Sequence, residues 1–343
     1  MKKVLIALMS VALLGGMSSC NKWLDVDADT RVGENVMFET GAGMRIALNG
    51  IYSSLSEKSM YGQELTWGLA SVLSRDYLNS QLPIDYKDNN LIHKTNGWKE
   101  SYTTKIIDPV WGKAYNTLAN INNLLQAVEK TEESFFEQGK LERNMFLAEL
   151  RGIRALIHFE LLRLFAPAPI KDDGKAYIPY VEKYPEYQPT KLTVSQTMAK
   201  IEADLQYAAD LLIDIDTAAG DGYALTTGIH TGNNRLRHDQ MYAYTESRGE
   251  WFSMRGYRMN FYAVQALLMR LYMWEGELDK VIETSKYFQH KKWWRIENLK
   301  TYSQVPNSST TKLWNDILFA GYNPDMKNMF DKASVVSNQK KFR

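Results

Sequence analysis

The sequence has very little of two things that mark common classes of functional protein: cysteine, and an excess of charge of one sign. Cys20 is the single cysteine among 343 residues. The 41 Lys and Arg side chains are nearly matched by 40 Asp and Glu side chains. One cysteine excludes an intramolecular disulfide and a zinc site built from several thiolates. The charge balance offers no electrostatic reason to bind nucleic acid.

Sequence patterns typical of catalytic or metal centres are also missing. No two histidines have the His-x3-His or His-Glu-x-x-His spacing of a metal site. Neither a Gly-x-Ser-x-Gly elbow nor a Gly-x4-Gly-Lys-Ser/Thr phosphate loop occurs. The histidines are His93, His158, His230, His238 and His290. We therefore expect no metal ion, no cofactor and no catalytic residue, and a protein that is not an enzyme.

The N-terminus has the features of an export signal. The apolar run Val4–Leu14 follows Lys2 and Lys3 and precedes a stretch of small residues. This is the layout of a secretory signal peptide, and the run is about half of the ~20 residues that a membrane-spanning helix needs. Cys20, directly after those small residues, resembles the lipobox of bacterial lipoproteins, whose thiol is diacylated. We expect lipidation at Cys20, which would anchor the protein to a membrane.

These signals divide the chain into three parts. Residues 1–19 are expected to be a signal peptide, residues 20–38 a lipidated tether, and residues 39–343 a single domain of mainly α class. Apolar residues spaced by three and four predict the helices of that domain. The predicted helices cover residues 40–56, 108–129, 140–165, 193–215, 259–275 and 277–290.

Local signals predict where several of these helices begin and end. Asp108 and Pro109 predict a cap and a first helical position. Thr193 followed by Gln196 matches a capping box at the start of a helix. Gly276 permits a tight turn between the last two helices.

The helices form three predicted pairs, over about 40–129, 140–215 and 259–290. In the last pair the spacing Leu268-x3-Tyr272-x3-Gly276-x4-Val281 is close to the tetratricopeptide pattern. Long inserts separate the helices. Structureless loops of more than ~12–15 residues are uncommon and often functional. We therefore interpret the helical pairs as the scaffold of the fold and the inserts as its functional surface. The inserts cover about 57–107, 166–192 and 216–258.

Four stretches, taken in order, resemble one family of proteins. They are the start Cys20-Asn-Lys-Trp-Leu-Asp-Val, the helix Trp111-x3-Tyr115, the helix Glu149-x-Arg151-x-x-Arg154 that runs on to Pro167, and the helix Ala263-x-x-Ala266-Leu-Leu-x-Arg270-x-Tyr272. With the lipobox, they are similar to the motifs of the SusD/RagB-like outer-membrane nutrient-binding lipoproteins. The resemblance covers residues 20 to about 290.

The resemblance implies a fold of tetratricopeptide-like helical pairs with long loop excursions, here short at the C-terminus because only Lys291–Arg343 follow the third pair. It implies a lipid-anchored protein of the outer membrane that faces the cell exterior. It also implies that the protein binds a nutrient, most often an oligosaccharide, and delivers it to a TonB-dependent, SusC-like transporter. The expected partners are thus that transporter, a glycan and the membrane, and not nucleic acid.

Aromatic and polar residues in the inserts are the predicted ligand contacts, because an exposed aromatic ring can stack on the face of a sugar. Trp98 lies beside Asn96 in a polar stretch of the first insert. The remaining candidates are Asp76 and Tyr77 in the same insert, and Tyr242, Tyr244 and Trp251 in the third insert.

Other polar and aromatic residues are expected to hold helices together. Glu149, Arg151, Arg154 and Arg163 lie on a mostly apolar helix, where buried or half-buried ion pairs between helices are expected. Trp111, Tyr115 and Trp274 are expected to pack between helices.

Two other functions remain open on the sequence alone. A helical-repeat adaptor would bind a peptide or protein in a concave groove between helical pairs. A glycan-cleaving lipoprotein would need two carboxylates in a cleft, and 40 acidic residues allow no such pair to be singled out.

Overall fold

The computed structural model describes residues 34–77, 86, 101–217, 250–252, 255–289 and 317–334. Helices dominate this part of the chain, and the prediction of a mainly α class is confirmed. The α-helices are α1 (Glu34–Met37), α2 (Gly41–Leu55), α3 (Leu69–Leu73), α4 (Ser101–Lys130), α5 (Gly139–Phe165), α6 (Val194–Asp216), α7 (Phe261–Glu275), α8 (Leu278–Gln289) and α9 (Met326–Ser334). The strands are β1 (Ala176–Pro179) and β2 (Lys191–Thr193).

Side-chain caps begin three of the long helices. The Thr40 side chain accepts a hydrogen bond from the Gly43 N–H at the start of α2, at 3.0 Å. The capping box of Thr193 and Gln196 at the start of α6 is confirmed by both of its hydrogen bonds. Asn260 caps α7 by accepting from the Ala263 N–H, at 3.1 Å. Each cap satisfies one amide that the first turn leaves unpaired.

The predicted start of α4 is wrong. The helix begins at Ser101, so Asp108 and Pro109 lie inside it. Proline costs a helix one hydrogen bond, about 3 kcal/mol in an interior position. Tertiary packing offsets this cost, because Val110 is buried in a small apolar cluster and Ile106 and Ile107 pack against that cluster. Asp108 and Pro109 favour the start of a helix, but the residues on both sides of the proline pack into the apolar cluster, so the helix continues through Pro109.

The helices of each predicted pair are in contact with each other. Helix α2 packs on α4, α5 on α6, and α7 on α8. The last turn is made by Gly276, whose φ of 86° is a left-handed conformation that glycine adopts without strain. Helix α5 lies in the middle, against α4 on one side and α6 on the other, and it is buried on most of its faces. One continuous apolar core joins α2, α4, α5, α6 and α7.

The predicted inserts contain structure of their own. In the first, Lys58–Gly62 forms a π-helix and is followed by α3. In the second, β1 and β2 pair antiparallel as a hairpin. The strands were missed because segments of three and four residues are too short to show an alternating pattern. Residues 34–37, within the range expected as a tether, form α1. No helix in the described ranges is both long and apolar enough to cross a membrane.

The expected ion pairs of α5 are present. Arg154 binds Asp204 of α6 through Nε and Nη2, at 2.6 and 2.7 Å, and both side chains are buried. Arg151 lies 3.1 Å from Glu129 of α4. Arg163 differs, because its partner Glu160 lies one turn earlier on the same helix, at 2.8 Å. The aromatic packing is also present, since Trp111 contacts Tyr115 and Phe165, and Trp274 contacts Phe159.

A buried histidine joins α5 to the hairpin. His158 Nε2 accepts a hydrogen bond from the Val181 N–H at 3.1 Å, and its ring stacks on Tyr180 at 3.8 Å. Its Nδ1 lies 2.9 Å from the Arg154 carbonyl oxygen and must carry the proton, because Nε2 is the acceptor. Burial lowers the pKa of His158 from 6.5 to about 3, so the ring is neutral in the folded protein.

This histidine makes the stability of the fold depend on pH. Between pH 6.5 and about 3 the unfolded chain binds a proton at His158 that the folded chain does not, so stability is lost as the pH falls. We expect protonation of His158 in the unfolded chain to lower the free energy of unfolding by about 2 kcal/mol between pH 7 and pH 5. His158→Gln keeps an acceptor for the Val181 N–H but cannot be protonated. Over the same pH interval its free energy of unfolding in urea should fall by about 2 kcal/mol less than that of the parent protein. An identical pH dependence in both proteins would contradict the assignment.

Candidate functional site

A cavity of about 1080 Å³ opens between three parts of the described structure. Helix α2 and the π-helix form one wall, with Tyr52 and Tyr61. Helix α7 forms a second wall, along Ala263 to Arg270. The segment 318–326 closes the third side. The volume lies just above the range of about 300–1,000 Å³ that is typical of small-molecule sites.

Three hydrogen bonds hold the segment 318–326 in place. The Asn323 side chain donates to the Ser56 carbonyl oxygen at 2.6 Å, and Asn260 donates to the Leu318 carbonyl oxygen at 2.8 Å. The Ala320 N–H donates to the Gly256 carbonyl oxygen at 2.9 Å. These bonds join residues that are far apart in the sequence, so the cavity forms only when α2, α7 and this segment have come together.

Aromatic side chains make up much of the lining. Tyr52 and Phe319 pack with their ring centroids 6.3 Å apart. Tyr257 and Tyr322 meet edge to face at 6.1 Å, and 68% of Tyr322 is exposed. The aromatic lining residues are Tyr52, Tyr61, Trp251, Tyr257, Phe319 and Tyr322. Such rings offer flat apolar surfaces beside hydroxyl groups, which suits a ligand with both kinds of surface.

The charged lining is of one sign. Among the described residues that surround the cavity, the charged side chains are Arg258 and Arg270, and none is acidic. The uncharged polar lining includes Asn49, Ser53 and Thr66. The charged groups of the lining are therefore hydrogen-bond donors in a wall that is otherwise mostly apolar.

Arg258 is built into a buried ion network. Its Nε donates to Glu149 at 2.9 Å and its Nη1 to the Trp251 carbonyl oxygen at 2.7 Å. The guanidinium lies 3.8 Å from the centre of the Trp251 ring, a cation–π contact. Nη2 of Arg258 and Nε1 of Trp251 are buried and have no hydrogen-bond partner among the described residues.

Glu149 connects this wall to the core. It also accepts hydrogen bonds from Arg255 and, at 2.6 Å, from the Tyr52 hydroxyl. Arg255 in turn binds Asp216 at 2.9 Å. Two arginines thus balance two carboxylates in a place where an unpaired charge would be costly. Burial raises the pKa of Tyr52 well above 10, so its hydroxyl remains a donor.

Arg270 stands at the other end of the cavity. Its Nη2 donates to Glu160 at 3.1 Å, and 45% of its side chain is exposed. Glu160 also binds Arg163 at 2.8 Å and accepts from the Tyr61 hydroxyl at 3.3 Å. Arg270 thus shares one carboxylate with Arg163, and of these three charged side chains it is the one that lines the cavity.

The predicted ligand contacts are only partly within the described structure. Trp251 lines the cavity with a half-buried ring that stacks on Phe146 at 5.7 Å. Tyr77 does not line it: its hydroxyl donates to the Trp67 carbonyl oxygen at 2.5 Å and its ring packs against the small apolar cluster. Asp76 accepts from Ser74 at 2.8 Å in the turn after α3. Cys20, Asn96, Trp98, Tyr242 and Tyr244 lie outside the described residues.

Most of the cavity wall was not predicted from the sequence. The predicted ligand contacts lie in the long inserts, whereas Tyr52 and Arg270 lie on helices of the scaffold. The one available signal was that Arg270 stands on a face of α7 where the neighbouring residues are apolar. Among the described residues, no three His, Cys, Asp or Glu side chains are grouped so that they could hold a metal ion.

Comparison with known proteins identifies the family. Residues 22–218 match the SusD-like family that is described as starch-binding and associating with the outer membrane. Because the match extends over more than half of the chain, the protein belongs to this SusD-like family, and the resemblance found in the sequence motifs is confirmed.

Individual relatives are distant. SusD-like protein P2 of Formosa agariphila is 27% identical over 180 residues, which are 52% of this chain and 32% of the relative. SusD-like protein P38 of the same organism is 22% identical over 218 residues, which are 63% of this chain and 37% of the relative. The chain thus spans about one third of the length of these relatives.

Solved structures share the fold. A SusD superfamily protein from Bacteroides thetaiotaomicron aligns over 77% of this chain and 49% of its own, with 21% identity and a TM-score of 0.51. A SusD-like carbohydrate binding protein from Bacteroides vulgatus aligns over 78% and 48%, with 16% identity and a TM-score of 0.52. The chain therefore has the helical fold of SusD-like proteins over about half of the length of these structures.

Proposed function

We propose that this protein is a lipid-anchored binding protein of the outer membrane that captures an oligosaccharide and passes it to a TonB-dependent, SusC-like transporter. It makes and breaks no covalent bond. The observation that carries the proposal is the cavity of about 1080 Å³ lined by six aromatic side chains in a member of a starch-binding family. One of the structures that share its fold is described as a carbohydrate binding protein.

The lining has the chemistry that sugar rings require. A sugar presents an apolar face of C–H groups and an edge of hydroxyl groups. Tyrosine and tryptophan rings cover the face, while hydroxyl, amide and guanidinium groups bind the edge. Tyr257, Tyr322 and Asn49 place these groups within one cavity. Stacking of this kind is weak enough for release, which delivery to a transporter needs.

Membrane attachment and delivery complete the proposal. Acyl chains on Cys20 hold the protein at the membrane without a spanning helix. Delivery to a barrel partner is supported by the family's association with the outer membrane.

Tyr322 provides the test of capture in the cavity. A soluble form beginning after Cys20 is screened against neutral and acidic oligosaccharides of plant, animal and microbial origin, and the best ligand is measured by calorimetry. We expect Tyr322→Ala to weaken its binding about three- to tenfold, because one stacking surface is lost. The sequence prediction for Trp98 is tested in the same way with Trp98→Ala.

Tyr187 is the matched control, because it is a tyrosine with 88% exposure that does not line the cavity. Tyr187→Ala should bind like the parent protein. Failure of every oligosaccharide to bind, together with binding of a peptide library, would instead support the helical-repeat adaptor.

A further inference from the structure

We infer that the cavity selects an oligosaccharide that carries a uronic acid, with the carboxylate of the sugar bound by Arg270. This inference rests on the proposed function and names the class of sugar. Two features of the cavity carry it: the sign of its charges and the unused hydrogen-bonding capacity of Arg270.

The lining attracts anions. Its charged members in the described structure are Arg258 and Arg270, and no acidic side chain faces the space. The charge of Arg258 is balanced within the network of Glu149, Asp216 and Arg255. Arg270 instead shares Glu160 with Arg163, so among the described residues its charge is the one at the cavity that is only partly balanced.

Arg270 has N–H donors that no described residue accepts from. A guanidinium carries five N–H donors, and the hydrogen bond that Arg270 makes among the described residues is the one from Nη2 to Glu160. Nε and Nη1 remain for a ligand. A planar guanidinium fits a planar carboxylate through two parallel hydrogen bonds, which makes a uronic acid a better match than a neutral sugar.

A carboxylate held by Arg270 also suits the aromatic part of the lining. Tyr257 and Tyr322 border the same cavity. A uronic acid projects its carboxylate from the edge of the ring, which leaves the ring face free to stack on tyrosine.

The test compares acidic sugars with matched neutral ones. Tetramers of galacturonic acid and of mannuronic acid, and a xylo-oligosaccharide with a glucuronic acid branch, are titrated into the full chain purified in detergent. Each is paired with its carboxyl-reduced derivative, which has the same skeleton without the charge. We expect at least one acidic oligosaccharide to bind about tenfold more tightly than its reduced form, and the difference to shrink as salt is added.

Arg163 offers a matched control for Arg270. Both arginines bind Glu160, but Arg163, 38% exposed, does not line the cavity. Arg270→Gln should abolish the preference for the acidic form, whereas Arg163→Gln leaves the N–H donors of Arg270 in place and should weaken the preference less. Equal affinity for acidic and reduced forms, or an equal effect of the two substitutions, would overturn the inference. Binding of neutral oligosaccharides alone would overturn it too and leave the proposed function standing, while no binding of any oligosaccharide would contradict the proposed function itself.

Discussion

Replacing Arg255 by methionine is expected to destabilise the protein by about 3–5 kcal/mol, because it leaves buried carboxylates without their counter-charge. Arg255 is almost fully buried and binds both Glu149 and Asp216. Its Nη2 also donates to the Met259 carbonyl oxygen at 3.1 Å. One side chain thus joins α5, α6 and the segment that leads into α7.

The measurement is the free energy of unfolding from urea titration at pH 7. Lys200→Met is the control, since Lys200 pairs with Glu182 at 2.7 Å but both side chains are more than 40% exposed. An exposed pair of this kind contributes about 0–1 kcal/mol. If Arg255→Met were no more destabilising than Lys200→Met, this would contradict the conclusion that Arg255 joins α5, α6 and the segment that leads into α7.

Replacing Phe146 by alanine is expected to cost about 3–5 kcal/mol, the usual loss for a buried aromatic ring. Phe146 is fully buried in α5 and packs between Phe136 at 5.6 Å and Trp251 at 5.7 Å. Phe146 therefore supports the part of the cavity wall that Trp251 forms. Its loss should weaken sugar binding as well as the fold, because Trp251 loses the ring on which it stacks.

Thermal unfolding and calorimetric binding test this prediction together. Phe165→Ala is the control, since Phe165 is only half-buried at the end of α5, against Trp111. Phe165→Ala should lower the stability by less than Phe146→Ala does, and it should leave the ligand affinity unchanged. Unchanged affinity in a folded Phe146→Ala protein would show that Trp251 does not depend on this support.

The helical scaffold could be predicted from sequence because its signals are local. Spacings of three and four residues located α2, α5 and α6, and the capping box at Thr193 located a boundary. The same local rules failed at Pro109, because a proline is read as a helix start unless the packing of Val110 is known. The short hairpin strands carried too few residues for an alternating pattern.

The cavity could not be predicted, because it is made by distant parts of the chain. The Tyr52 hydroxyl accepts a hydrogen bond from the Met259 N–H, 207 residues away, and Asn323 binds Ser56 across 267 residues. No spacing rule connects such positions. Aromatic residues on helices are also expected to be core, so Tyr52 and Tyr61 gave no sign that they border a cavity. Trp251 was singled out only because it lies in a long insert.

Hydrogen–deuterium exchange of the protein, with and without the oligosaccharide that binds best, tests whether the cavity is the site of capture. Capture in the cavity predicts slower exchange in α2, in the first turns of α7 and in residues 318–326, with Tyr187 and its hairpin unchanged. Protection confined to other parts of the chain, or no protection by any oligosaccharide, would contradict the claim that this cavity is the site of capture.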